Sequence, residues 1–269
     1  MTVKTTTFDG LDAVTLSTDT LSLTAVCEFG PRIAAFGPRD GRSLLLWEPG
    51  KHTRGDWDLR GGHRVWVTRP GADENEDTYA PDNDPCELEI FDDGFRLTGA
   101  EDPLNCTRRG IDVRVVGENH IAVDNFVRNT GSLLYSGGLW GLTCTVPTAE
   151  TVYAVPLGDG STWDTFNLVY FNRWAGQGEG GFNDDQFHVG SELLTIRPQG
   201  LENKRMIQAP RGIIAMHDGT VGVTFAKQCE YIRGAGYPLN TNIAAYIGPG
   251  NFMVEMETMG PEESLKPGR

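Results

Sequence analysis

The stretch Leu59-Arg60-Gly61-Gly62-His63-Arg64-Val65-Trp66-Val67 packs a double glycine, a histidine, two arginines and a tryptophan into nine positions. Guanidinium forks suit hydroxyls and planar anions, an indole face covers a sugar ring, and glycines admit close backbone approach. A polar run from Gly71 to Asp84 follows, ending Tyr79-Ala80-Pro81-Asp82-Asn83-Asp84. Together these groups suggest a pocket for a polyhydroxylated ligand, with Arg60, Arg64, Trp66, Tyr79 and Asp82 as binding residues. His63 is the histidine best placed by its neighbours to move a proton. The competing reading pairs the arginines with the acidic run Asp73, Glu74, Glu76 and Asp77 as surface ion pairs. That run lacks the alternating ligand spacing of a calcium loop and reads as a solvated face, so no metal is expected.

A second group lies near the end of the chain. Phe252 to Met259 reads as a strand, and its period of two puts Glu255 and Glu257 on one face with Met253, opposite Phe252, Val254 and Met256. Two carboxylates there are either a solvent-facing pair or part of a site. Lys204 and Trp140 are further binding candidates, Trp140 as a stacking platform. His188, in an aromatic-rich stretch, is a second histidine to consider. His52, His120 and His217 read as loop, strand-start and turn residues.

These residues need a frame, and the frame reads as all-β. No helix-period stretch of useful length appears. The apolar runs are short and alternating, and 34 glycines and 15 prolines punctuate them. Strands are expected at Leu21 to Cys27, Ile33 to Phe36 and Ser43 to Trp47, the last two joined across Asp40-Gly41. Further strands are expected at Glu87 to Phe91, Phe95 to Thr98, Ile111 to Val116, His120 to Val127 and Leu139 to Val146. The pattern breaks from Gly158 to Gly190, a long excursion that is either a functional rim or a partly ordered insertion. It resumes at Glu192 to Arg197, Gly212 to Met216, Val221 to Lys227, Ile243 to Ile247 and Phe252 to Met259. This signal count gives about fifteen strands in a single domain, residues 1–269.

The 269 residues carry a net charge of −14, which repels phosphate backbones and anionic membranes. Nucleic acid and membrane are therefore not expected partners. Cys27, Cys86, Cys106, Cys144 and Cys229 are scattered and odd in number, which argues against a disulfide framework or a zinc site. With no apolar leader at Met1-Thr2-Val3-Lys4 and no membrane-length run, a reduced cytoplasmic setting is the expectation. A monomer or homodimer is expected.

Several segments in order resemble the galactose-mutarotase-like superfamily. They are Phe29-Gly30-Pro31-Arg32-Ile33 with Asp40-Gly41, Leu59-Arg60-Gly61-Gly62-His63-Arg64, and Val127-Arg128-Asn129-Thr130-Gly131 leading to Trp140-Gly141-Leu142-Thr143. The last is Val254-Glu255-Met256-Glu257-Thr258-Met259-Gly260-Pro261 followed by Leu265-Lys266-Pro267-Gly268. The arginine-glycine-glycine loop is similar to that of the hexose-6-phosphate mutarotase branch, and the chain as a whole resembles uncharacterised bacterial members. The resemblance implies a large twisted β-supersandwich with a sugar site on a concave sheet. It also implies cofactor-independent sugar mutarotase or epimerase chemistry, with a late-strand carboxylate as base and a histidine as acid. Glu257 then takes the base role with Glu255 beside it, and His63 the acid role. Aldose 1-epimerases carry a second histidine near the middle strands, where this chain has Leu139-Trp140-Gly141-Leu142. A non-catalytic carbohydrate-binding protein and a lyase acting on a uronate or keto-sugar are the alternatives, the lyase giving Tyr79 a role. In each case the partner is a small-molecule sugar or sugar acid.

Overall fold

A computed structural model describes residues 1–68, 80–161, 163, 165–171 and 182–269. The chain divides into two compact units, Met1–Thr143 with Glu263–Arg269, and Cys144–Glu262.

The first unit opens with β1 (Thr2–Phe8), β2 (Leu11–Ser17), β3 (Leu21–Val26) and β4 (Arg32–Pro38). β1 and β2 form a hairpin in which Phe8 faces Leu11. The two residues between them, Asp9 at φ 52° and Gly10 at φ 80°, supply the left-handed pair that such a tight turn needs. Short β5 (Thr53–Arg54) and β6 (Trp57–Asp58) pair with each other and lead into β7 (His63–Thr68). β8 (Glu87–Ile90), β9 (Gly94–Asp102), β10 (Thr107–Gly117) and β11 (His120–Asn129) make a four-stranded meander ordered β11-β10-β9-β8. β12 (Tyr135–Thr145) carries the chain out of this unit. The other sheet of the unit runs β1-β2-β3-β4-β7-β12. The two sheets meet through their apolar faces, with Phe95, Leu97, Ile111 and Val113 of the meander fully buried.

The second unit contains β13 (Thr151–Pro156), β14 (Leu168–Tyr170), β15 (Phe187–Val189), β16 (Leu193–Ile196), β17 (Asn203–Ile207), β18 (Ile213–Asp218), β19 (Val223–Gln228), β20 (Ile243–Ile247) and β21 (Val254–Met259). Two antiparallel arrays result: β15-β16-β13-β18-β19, and β21-β20-β17-β14. β22 (Glu263–Leu265) returns to pair with β12 in the first unit.

Of the expected strands all but one are present, and the structure adds others that the sequence reading did not place, among them β1, β2, β7, β13 and β17. Ser43 to Trp47 is not a strand; its backbone makes isolated contacts, among them a bridge from Trp47 to Gly61. The excursion from Gly158 to Gly190 holds short strands near its ends, β14 and β15. β17 lies where the sequence shows no strand signal at all. Its residues Asn203-Lys204-Arg205-Met206-Ile207 are nevertheless buried throughout. Among the described residues no helix is long and apolar enough to cross a membrane. No group of three or more histidines, cysteines and carboxylates among them could hold a metal ion. None of the five cysteines is in a disulfide.

Candidate functional site

The nine-residue stretch does not act as one unit, because strand alternation splits it. In β7, Arg64 faces Leu142 and Arg32 across its neighbours, and Trp66 faces Trp140. His63 takes the opposite face, paired with Ile33 and Thr143.

On the first face, Asp82 is the common acceptor. Its Oδ2 lies 2.6 Å from Trp66 Nε1, 3.5 Å from Trp57 Nε1, 3.5 Å from an Arg32 nitrogen and 3.9 Å from Arg64 Nε. The Arg64 guanidinium lies over the Trp66 ring at 4.5 Å and near Trp57 at 5.8 Å. Trp140 meets Trp66 edge to face at 5.6 Å. Arg32 also donates to the carbonyls of Leu59 and Gly61 at 3.1 and 2.6 Å. It thereby ties the loop before β7 to the carboxylate. Arg32 is not among the site residues that the sequence suggests. The available signal was an arginine next to Ile33-Ala34-Ala35, which commits it to a buried strand.

Arg60 stands on its own. It adopts φ 52°, donates to Asn83 Oδ1 at 2.6 Å, pairs with Asp58 at 3.5 Å and covers the Phe29 ring at 3.9 Å. The double glycine that follows serves the chain itself. A Cβ on Gly61 would sit 2.3 Å from the Leu46 carbonyl oxygen, and one on Gly62 2.3 Å from that of Ile33. Both glycines have positive φ, so side chains are excluded by space and by conformation. The close approach expected of these glycines is therefore to neighbouring backbone.

On the opposite face, His63 is buried between the two sheets of the first unit. Its Nδ1 lies 2.8 Å from Thr143 Oγ1 and its Nε2 3.2 Å from Asn125 Oδ1. An amide oxygen only accepts, so Nε2 donates to Asn125, while the threonine hydroxyl can serve Nδ1 as donor or acceptor. The structure thus separates His63 from Arg64, Trp66 and Asp82 by one strand. Tyr79 and the acidic run from Asp73 to Asp77 lie outside the described residues. His188, on β15, is exposed and faces Thr195 of β16.

The second unit holds the late-strand carboxylates. Every residue of β21 is buried, so the expectation of a solvent-facing pair does not apply. Register across the array sets Lys204 of β17 beside Tyr246 of β20, and Tyr246 beside Glu255. Met206 and Ala244 lead in the same way to Glu257. Lys204, Tyr246, Glu255 and Glu257 therefore share one face. Lys204 Nζ lies 3.0 Å from Glu257 Oε2, with Glu257 fully buried and Lys204 nearly so. Glu255 accepts from the Cys144 thiol at 3.4 Å. The Tyr246 hydroxyl donates to Glu202 at 2.5 Å, and burial together with that carboxylate raises its pKa above the usual phenol value. The pairing of Lys204 with Glu257 joins two candidates that the sequence could not relate, because β17 was not recognisable as a strand.

On the opposite side of β17, the Arg205 guanidinium lies 4.6 Å from both the Tyr170 and Phe187 rings. It donates to Asn203 Oδ1 at 2.7 Å. It packs against β14 through Tyr170 and against β15 through Phe187.

The architecture is all-β with a buried lysine–glutamate pair on one sheet face, and its similarity to solved structures shows the galactose-mutarotase-like fold. No family model matches the chain, and no curated protein matches it in sequence. Solved structures do match. A protein from Escherichia coli K12, provisionally described as an aldose 1-epimerase, is similar over 96% of this chain and 94% of its own, with TM-score 0.62 and 15% identity. A galactose mutarotase related enzyme from Lactobacillus acidophilus covers 96% of this chain and 93% of its own, at TM-score 0.57 and 10% identity. A galactose mutarotase-like protein from Lactobacillus casei covers 96% of each chain at TM-score 0.53 and 10% identity. Identities this low carry the fold and leave the activity to the site.

Proposed function

We propose that the protein acts on a free sugar as a cofactor-independent mutarotase or epimerase, with Glu257 as the base. The observation that carries this reading is the buried Lys204–Glu257 pair at 3.0 Å, on the sheet face that also presents Glu255 and Tyr246. Mutarotation needs a base for the anomeric hydroxyl and an acid for the ring oxygen, two oxygens bonded to one carbon. A carboxylate beside an ammonium offers both functions side by side. Glu257 accepts the hydroxyl proton while the ring C–O bond breaks, and Lys204 protonates the departing ring oxygen. After the open-chain aldehyde rotates, the same two groups reverse their roles and close the ring on the other face.

The sequence suggests His63 as the acid. With both ring nitrogens engaged by Thr143 and Asn125, its better supported role is to join the two sheets of the first unit. In this scheme Arg64, Trp66, Trp140 and Asp82 contribute to binding within their own unit.

The test is anomer exchange followed by NMR saturation transfer over hexoses, uronates and sugar phosphates. Acceleration by the wild type, lost in Glu257→Gln and Lys204→Met and kept in His63→Gln, is the expected result. Acceleration lost in His63→Gln and kept in Lys204→Met would return the acid role to the histidine.

A second reading, a carbohydrate-binding protein without turnover, is favoured by the complete burial of Glu257. Saturable sugar binding with no acceleration by any panel member selects it. An ultraviolet-absorbing unsaturated product from uronate oligomers would instead select a lyase.

A further inference from the structure

We propose that Lys227 is a positioning residue for the two glutamates of β21, holding that strand and stabilising the charged form of Glu255 and Glu257. The proposal rests on the reading of Glu257 as the base. Lys227 lies on β19, an edge strand whose alternate residues Thr224, Ala226 and Gln228 are exposed. Alternation turns Lys227 inward, where its ammonium donates to the carbonyl oxygen of Met256 at 2.8 Å. Met256 is the residue between Glu255 and Glu257. The ammonium is thus delivered from the other array of the second unit to the short segment that carries both carboxylates.

A lysine is a costly way to fill an inward position, since methionine or leucine would pack there without desolvating a charge. The groups around it account for its presence. Glu255 and Glu257 of β21, Cys144 of β12 and Cys229 just beyond β19 lie close enough to act on its charge. On β18 its cross-strand neighbour is the apolar Ile214. Burial dominates these influences and lowers the Lys227 pKa to about 8, while the surrounding acidic groups pull the other way. The amine is consequently charged at neutral pH and close to losing its proton. With Lys204 it gives the two glutamates two ammonium neighbours, one at a carboxylate oxygen and one at the backbone between them. Removing one positive charge raises the pKa of nearby carboxylates.

The experiment is a carbon-13 NMR titration of glutamate-labelled protein as wild type, Lys227→Met and Lys227→Arg. The two carboxyl signals are assigned by their loss in Glu255→Gln and Glu257→Gln. In Lys227→Met both midpoints are expected to rise, by about one pH unit for the nearer carboxylate. Lys227→Arg is expected to keep them near the wild-type values. Unchanged midpoints in Lys227→Met, or the same rise in Lys227→Arg, overturn the proposal. Lys227→Met removes a buried charge and keeps an unbranched apolar chain, so it is expected to fold. Where the wild type accelerates anomer exchange, the acid limb of kcat/KM should move with the midpoints while KM stays unchanged. A wild type with no exchange activity removes the base role from Glu257, and the titration then decides Lys227 by itself.

Discussion

The two buried polar clusters hold charge in different chemical forms. In the first unit, Arg32 and Arg64 surround Asp82 with indoles stacked about them. Guanidinium stays protonated at any accessible pH, and its planar fork favours fixed geometry. In the second unit, Lys204 and Lys227 sit among Glu255 and Glu257. Amines can lose their proton, and Lys227 is already near doing so. The first cluster thus keeps its cations fixed in charge, while the second contains an amine, Lys227, whose charge can change within the ordinary pH range. The proposed proton transfers belong to β21 in the second unit, and the residues around β7 form a separate cluster within the first.

The sharpest way to break that division is at Glu257. If the second cluster performs the proton transfers, Glu257→Gln lowers the rate of anomer exchange by about 10²–10⁴-fold, the usual worth of a general base. KM should change little, and the equivalent Asp82→Asn change should leave kcat within a few-fold of wild type. Exchange kinetics at fixed sugar concentration separate the two. A large loss of kcat in Asp82→Asn with an active Glu257→Gln would reverse the assignment.

The converse holds for stability. Asp82→Ala removes the acceptor shared by Trp66, Trp57, Arg32 and Arg64, and is expected to cost about 3–5 kcal/mol, as does breaking other buried ion pairs from one side. Asp82→Asn keeps an oxygen for Trp66 Nε1 and should cost less. Urea unfolding followed by tryptophan fluorescence measures both, since Trp57, Trp66 and Trp140 surround the site. A loss under about 1 kcal/mol in Asp82→Ala would mean that the first cluster is not holding the loop before β7.

The clusters also differ in their response to pH. Lys227 has a folded pKa of about 8 against an ordinary value of 10.5. Between these values the unfolded chain binds a proton that the folded chain does not, so folding stability rises with pH across that window. Below pH 8 both states carry the charge, and its burial is a constant cost. Relative to Lys227→Met, the wild type should gain about 3 kcal/mol between pH 7.5 and 10.5, from about 1.4 kcal/mol per pKa unit. Arg32→Met, compared in the same way, should show no such slope, because its guanidinium does not titrate there. Equal slopes in the two comparisons would erase the distinction.

Legibility in the sequence followed from whether a residue's surroundings were local. β20 shows itself as Ile243-Ala244-Ala245-Tyr246-Ile247, a run that could only be a buried strand, and its bounds match. Glu255 and Glu257 share a face because strand alternation alone requires it. β17 was invisible because Asn203, Lys204 and Arg205 read as loop; only their distant partners Asp184, Glu257 and the Tyr170 and Phe187 rings make them interior residues. His63 was drawn toward the arginines by adjacency in sequence. In a strand, adjacency means opposite faces, and the same rule that grouped the glutamates separates the histidine from Arg64 and Trp66. Arg32 was hidden by a turn-like context, Gly30-Pro31, that ends one residue before the strand begins.

The smallest expected effect tests what the indoles contribute. Trp140 is half-buried, on the same face as Arg64, and packs edge to face on Trp66. Trp140→Leu keeps an apolar side chain and loses the ring pair, at a stability cost of about 0.5–1.5 kcal/mol. If the first cluster only holds sugar, affinity should fall by about three- to ten-fold while the kcat for anomer exchange is unchanged, a loss of about 1 kcal/mol. Calorimetric titration with the best sugar of the panel gives the affinity, and saturation-transfer NMR gives kcat. A fall in kcat with unaltered affinity would show that the indole platform participates in the chemical step. The contrast between a binding cluster and a proton-exchanging one would then have to be abandoned.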